Sequence, residues 1–311
     1  MKFQFNIYQR RFKQPLHTSH GLWQIREGII ITLIDSAGNT GVGEIAPLSW
    51  FGSETMSQAL KFCRGWGDNI SSQDIANIPD RLPCCQFAFE SALLDLTQSR
   101  SMVQKDNLDY CYLLPAGKKA LTNWQGIYQT KKNHTFKWKI GVYPLEQEIE
   151  ILQQLIEELP SEVKLRLDAN GGLNFSQAEQ LLTVTENLKK IDFVEQPLPP
   201  NNLAKMLQLS KDRTTLLALD ESVASFKQLQ LAYQQGWQGV FIIKAAIMGF
   251  SSQLIKYCQA NSLDVVISSV FETEVGRSAV FKIAQQLNHP RAIGFGVDYF
   301  VRSANQARKF D

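Results

Sequence analysis

The 311-residue chain is 44% hydrophobic and 20% charged, with a formal net charge of +2, which is ample material for one large core or for a large and a smaller one. So even a charge balance gives no electrostatic case for nucleic acid or an anionic membrane surface as the main partner. No stretch approaches the roughly 18 uninterrupted apolar residues of a membrane span.

The amino terminus, MKFQFNIYQRRF, alternates apolar and polar residues, so it reads as a strand and not as a signal peptide. A soluble, cytoplasmic protein is expected, with oligomeric state left open. Five cysteines (Cys63, Cys84, Cys85, Cys111, Cys258) form no CxxC pair, and their odd number points to reduced, buried thiols. The runs FQFNIYQ, GIIITLID and VGEIAPL, with the turn SAGNTG before the last, predict an antiparallel meander. Helices are predicted in SETMSQALKFCRGW, with Ser53 as N-cap, and in PCCQFAFESALLDLTQ. An α+β domain over residues 1–105 follows from these elements.

Beyond it the pattern changes to strands alternating with helices. Strand-like runs occur at YCYLLPAG, FKWKIGV, VKLRLDAN, IDFVEQPL, TLLALDES, GVFIIKAA, LDVVISSV and AIGFGVDY. Such alternation implies parallel pairing through helical crossovers, and eight strands predict a closed (β/α)7β barrel over 106–299. Only 13 residues follow Asp298, too few for an eighth helix, so the tail 300–311 is expected to return to the first domain.

A polar residue recurs near the end of each strand: Lys139, Asp168, Glu195, Asp220, Lys244 and Ser268, at separations of 24 to 29 residues. One βα unit takes about that length, so these groups gather at the carboxyl ends of the strands, where barrel enzymes hold their chemistry. Singly, each acid could be a helix cap or a surface ion pair. Jointly, Asp168, Glu195 and Asp220 would repel unless a cation neutralised them, and an all-oxygen set favours Mg2+, with Mn2+ the other option. Lys139 and Lys244 would flank the ion, suiting proton abstraction from carbon beside a carboxylate. Lys137 shares the Lys139 face of its strand, while Phe136, Trp138 and Ile140 take the other.

In this order, KWK, RLDANGG, EQPL, ALDES and IIKAAIMGF resemble the motifs of the enolase superfamily, whose use of a lysine or histidine base with magnesium is a general property of such sites. GEIAPL and SSVFETEVG resemble more specifically its o-succinylbenzoate synthase branch. The resemblance covers nearly the whole chain. It implies a magnesium-dependent lyase that removes water from 2-succinyl-6-hydroxy-2,4-cyclohexadiene-1-carboxylate to give 2-succinylbenzoate, through an enediolate, in menaquinone or phylloquinone biosynthesis. It further implies Lys139 as acid and base, Lys244 as electrostatic stabiliser of the enolate, and Lys137 as a supporting charge that would also touch the substrate carboxylate. The amino-terminal domain would cap the barrel, with lid loops near 17–27 and 47–55 and with Gly43, Glu44, Trp50 and Phe51 at the lid.

By register, Arg166 would face the same mouth as Asp168, and Asn170 would orient a ligand or cap a helix. Ser268 and Ser269 end the seventh strand, and Gly294 and Gly296 would let backbone approach a bulky ring; these six are the candidate substrate-binding residues. Two other functions fit the same residues: an N-acylamino acid racemase or dipeptide epimerase using both lysines, and a barrel that binds a metal or anion without catalysis.

Overall fold

The computed structural model describes residues 1–18, 21–97, 108–131, 134–288 and 290–296. The expected domain boundary near 105, Asp298, the tail 300–311 and the tip of the first expected lid loop lie outside the described residues.

Three strands, β1 (Lys2–Thr18), β2 (Gly21–Ile34) and β3 (Thr40–Ile45), form the antiparallel meander in that order. Period-two alternation puts Ile29, Ile31 and Leu33 on one face, and all three are fully buried. Against that face lies α3 (Pro83–Thr97), whose Cys85, Phe87, Ala88, Phe89 and Ala92 are buried. Helices α1 (Met56–Gly65) and α2 (Ser72–Ala76) complete the layer.

Four expectations are corrected here. The described residues of 17–27 lie in strands, because β1 and β2 keep pairing beyond a bulge, through Leu16↔Trp23, His17↔Leu22 and Thr18↔Gly21. The N-cap of α1 is Thr55 in a capping box with Gln58, while the Ser53 hydroxyl accepts from Leu48 N at 2.8 Å and donates to the Glu54 carbonyl at 3.1 Å. Gly43 is not at a lid: a Cβ there would collide with the Ala88 carbonyl, so it is the close-approach point of β3 and α3. Glu44 is fully buried and ties the meander to the barrel through the N-terminus of α10 (Glu274–Leu287). It accepts from Thr273 N and Gly276 N, each at 2.9 Å, from the Thr273 hydroxyl, and from Tyr8 OH at 2.5 Å.

The remaining strands are β4 (Tyr110–Leu114), β5 (Thr135–Lys139), β6 (Lys164–Asp168), β7 (Ile191–Glu195), β8 (Leu217–Leu219), β9 (Val240–Ile243), β10 (Val265–Ile267) and β11 (Ile293–Gly296). They pair in parallel in the order β10-β9-β8-β7-β6-β5-β4-β11. A bridge from Ser268 to Gly294 brings the two ends of that order together as a barrel. Between strands run α4 (Ala120–Thr130), α5 (Leu145–Glu158), α6 (Phe175–Thr185), α7 (Leu203–Ser210), α8 (Phe226–Gln234) and α9 (Ser251–Ala260).

Apolar packing divides in two, as a barrel demands. The larger core lies between sheet and helices and includes Phe136, Trp138, Leu165 and Leu167. A smaller cluster of Phe193, Ala218, Val240, Ile242 and Val266 occupies the opposite, inward positions of β7 to β10. Two residues further along the same inward rows come Glu195, Asp220, Lys244 and Ser268.

Gly294 and Gly296 serve the closure of the ring. A Cβ on Gly294 would lie 2.8 Å from Ser268 Oγ, and one on Gly296 would strike the Cys111 carbonyl and lie 2.7 Å from Tyr112 Cα. The space they leave is filled by neighbouring strands and is not available to a ligand ring. Gly43→Ala should lower unfolding free energy by about 1–3 kcal/mol through overpacking, measured by urea denaturation. Gly65→Ala, where a Cβ meets nothing within 4 Å, should stay within about 0.5 kcal/mol of the parent.

Candidate active site

Register sets the site. Lys139, Asp168 and Glu195 pair across β5, β6 and β7 and share one rung at the carboxyl ends of the strands. Asp220 follows β8 and Lys244 follows β9. In the ring, β5 and β9 are four strands apart, which puts Lys139 and Lys244 on opposite sides of the mouth.

Asp168, Glu195 and Asp220 are 3%, 1% and 4% exposed. Lys137 rises from the rung below, with Nζ 2.9 Å from Asp168 Oδ2 and 2.8 Å from Glu195 Oε1. Burial works against its charge, but Asp168, Glu195 and Asp220 outweigh burial and hold its ammonium well above the usual range. Burial likewise works to raise Asp168, and Lys137 and Lys139 overcome it, holding that carboxyl below its ordinary value. For Glu195 the balance goes the other way. Burial first, then Asp168 beside it, push its carboxyl up to about 8.

Lys137 alone bridges Asp168 and Glu195, and an all-oxygen set of this kind suits a hard, oxygen-seeking cation. Among the described residues no three candidate ligands stand close enough to enclose an ion. Lysine ammoniums take the carboxylate oxygens that a cation would take. Lys244 pairs with Asp220, and its Nζ lies 3.9 Å from the centroid of the Phe51 ring. The Lys139 side chain has no ion pair among the described residues, and it acts on Asp168 through its charge. Lys137 contacts the protein's own acids, Asp168 and Glu195.

The candidate substrate residues divide. Arg166 lies inside the barrel but one rung below the mouth, since a two-residue step moves it about 6.6 Å down the strand. Its Nε donates to Asp192 Oδ2 at 2.8 Å, its Nη1 donates to the Ala292 carbonyl at 2.8 Å, and its guanidinium covers Phe193 at 4.7 Å. Arg291 joins Asp192 to Asp264 beside it. Arg166 is thus spent at the base of the barrel. Ser269 donates to Glu272 Oε2 at 2.9 Å and accepts from Phe271 N at 2.9 Å, so it shapes its own loop and does not face a substrate. Ser268 keeps an inward place at the mouth, next to Gly294.

Asn170 orients a neighbouring acid and caps no helix; the cap of α6 is Asn174. Its backbone, at φ 44°, donates to Asp168 Oδ1 at 3.1 Å, and its Nδ2 donates to Glu221 Oε1 at 3.1 Å. Trp50 is 40% exposed and stands edge-on to Trp23, with ring centroids 4.9 Å apart. Trp50 and Phe51 thus lie on a turn over the barrel mouth, as a lid requires.

Gln196 escaped sequence reasoning. It is fully buried, at φ 38°; its Oε1 accepts from Asp220 N at 3.0 Å and Ser222 N at 3.1 Å, and its Nε2 donates to Ser222 Oγ and Leu198 O, each at 2.8 Å. It locks the end of β7 to the end of β8, next to Glu195 on one side and Asp220 on the other. Glu221 was also missed. Burial, then Asp220, push its carboxyl up to about 7, and its Oε2 has no partner among the described residues. The only available signal was adjacency to a candidate ligand.

Residues 121–298 match the family described as enolase C-terminal domain-like, and residues 5–96 match the MenC N-terminal domain. An o-succinylbenzoate synthase from Thermosynechococcus vestitus is 37% identical over 302 residues, covering 96% of this chain and 93% of that protein. The chain belongs to the o-succinylbenzoate synthase family. A Pasteurella multocida member is 28% identical, over 92% of this chain and 86% of its own. The crystal structure of o-succinylbenzoate synthase from Thermosynechococcus elongatus, complexed with Mg in the active site, superposes with a TM-score of 0.93 at 36% identity, covering 97% and 95% of the two chains. The L-Ala-D/L-Glu epimerase of Bacillus subtilis, at 19% identity and a TM-score of 0.78 over 97% and 91%, shares the fold.

Like the family as a whole, the chain is an enzyme of the lyase class. No helix among the described residues is long and apolar enough to cross a membrane. All five cysteines are free and buried. Gln196→Ala leaves the buried Asp220 and Ser222 amide N–H groups without their acceptor and should lower unfolding free energy by about 1–3 kcal/mol, as read by urea denaturation.

Proposed function

We propose that the protein is a Mg2+-dependent o-succinylbenzoate synthase of the cytoplasm, acting in menaquinone or phylloquinone biosynthesis. It would remove water from 2-succinyl-6-hydroxy-2,4-cyclohexadiene-1-carboxylate to give 2-succinylbenzoate. The observation that carries this reading is the placement of Lys139 and Lys244 on opposite sides of a barrel mouth, with three buried carboxylates on the strands between them, in a chain of this family.

Asp168, Glu195 and Asp220 would hold Mg2+, with Mn2+ as a substitute of the same ligand preference. When bound, the ion supplies positive charge at the substrate carboxylate and makes the neighbouring C–H more acidic. Lys139, as the neutral amine, takes that proton into the Nζ lone pair, leaving the electron pair on the carboxylate side. The same Nζ then returns the proton to the departing hydroxide, which leaves as water, so both events use one face of the ring. Lys244, cationic on the far side, stabilises the negative charge that develops between them. Lys137 keeps Asp168 and Glu195 in place from the rung below. The Trp50–Phe51 turn covers the mouth and excludes water.

The test is aromatisation of the cyclohexadiene substrate, followed by absorbance. Turnover should stop with a chelator and return with Mg2+. Lys139→Ala should lower kcat by about 10²- to 10⁴-fold, the range of a lost general acid–base group, and should abolish exchange of the substrate's alpha proton with deuterated solvent. No aromatic product from the wild-type protein, together with racemisation of N-acylamino acids, would overturn the synthase reading in favour of the racemase.

A further inference from the structure

Lys244 rests on a residue of the other sheet's layer, and the placement of that residue is built and not incidental. The turn Ser49–Phe51 is held from both ends. Before it, the buried Arg26 guanidinium donates to the Ala46 and Pro47 carbonyls at 2.6 and 2.9 Å. After it, the buried Glu54 carboxylate accepts from Cys84 N and Cys85 N at 3.0 and 2.9 Å, at the N-terminus of α3. Within it, Phe51 N donates to the Leu48 carbonyl at 2.8 Å, and Gly52 at φ 95° closes the turn. On the barrel side the turn meets the segment after β8, where a Cβ on Gly52 would lie 3.9 Å from Ala224 Cβ. Trp50 is fixed against Trp23, and Trp23 against Phe12 and Phe271 at centroid distances of 4.9 and 5.5 Å.

All of this delivers the Phe51 ring to 3.9 Å from Lys244 Nζ. The Lys244 side chain is 13% exposed, so water competes weakly for the ammonium and the ring's negative face counts for more than at an open surface. Asp220 fixes the ammonium from one direction and Phe51 from another. We propose that Phe51 is a positioning residue for Lys244: it supplies an aromatic face that aims the ammonium across the mouth toward Lys139, and it makes the arrangement of a barrel lysine depend on a turn of the amino-terminal layer. A lid residue that only excluded water would need bulk, and any large apolar side chain would serve. A residue that aims a cation needs a π face.

This inference rests on the catalytic reading of Lys244, and the experiment separates the two. Phe51→Leu and Phe51→Met keep apolar bulk without the ring, whereas Phe51→Tyr and Phe51→Trp keep the ring. In the Mg2+-loaded enzyme, Phe51→Leu and Phe51→Met should lower kcat by about tenfold, the scale of one desolvated cation–π contact, with KM and the thermal midpoint close to wild type. Phe51→Tyr and Phe51→Trp should restore most of the lost kcat. Wild-type kcat in the leucine and methionine variants, equal losses in all four, or a rise in KM with kcat unchanged would each overturn the assignment, the last by reducing Phe51 to a cover. Full activity in Lys244→Ala would instead remove the reading of Lys244 itself, and the assignment with it.

Discussion

Three carboxylates buried on consecutive strands make an unfavourable arrangement for any fold, because each loses its hydration and each repels the others. The barrel tolerates it through Lys137, which reaches up from a lower rung to bridge Asp168 and Glu195, and through Lys244, which pairs with Asp220. The neighbourhood is organised around this imbalance. Gln196 ties the strands that bear Glu195 and Asp220, and Asn170 adopts a left-handed backbone to place its amide on Asp168. The framework holds three carboxylates and two ammoniums in fixed positions at the mouth.

Period two and unit length made much of this legible in the chain. The apolar runs located all eight parallel strands, and the once-per-unit recurrence of polar residues placed Lys139, Asp168, Glu195, Asp220 and Lys244 at one end of the barrel. What periodicity cannot report is height. Arg166 and Asp168 share an inward row, but a two-residue step separates the base of the barrel from its mouth, and Arg166 goes to Asp192. The same limit explains Ser269, whose neighbour Ser268 takes the inward place.

Residues whose meaning depends on contact across the chain were harder still. Glu44 looks like any acid at a strand end until α10, more than two hundred residues away, brings Thr273 and Gly276 to it. Gly294 and Gly296 signalled close approach, but of neighbouring strands and not of a ring, while Gly43, expected at the lid, meets a helix carbonyl. The lid loop near 17–27 was expected from resemblance alone, whereas its described residues continue the pairing of two strands.

The packing beneath the mouth has a further consequence. Arg166, Asp192, Arg291 and Asp264 form a chain of ion pairs around Phe193, at the foot of the interior apolar cluster of Phe193, Ala218, Val240, Ile242 and Val266. Among the described residues the end of the barrel away from the mouth is thus filled by ion pairs and apolar side chains. That filling leaves exchange of small molecules to the side where the amino-terminal layer sits.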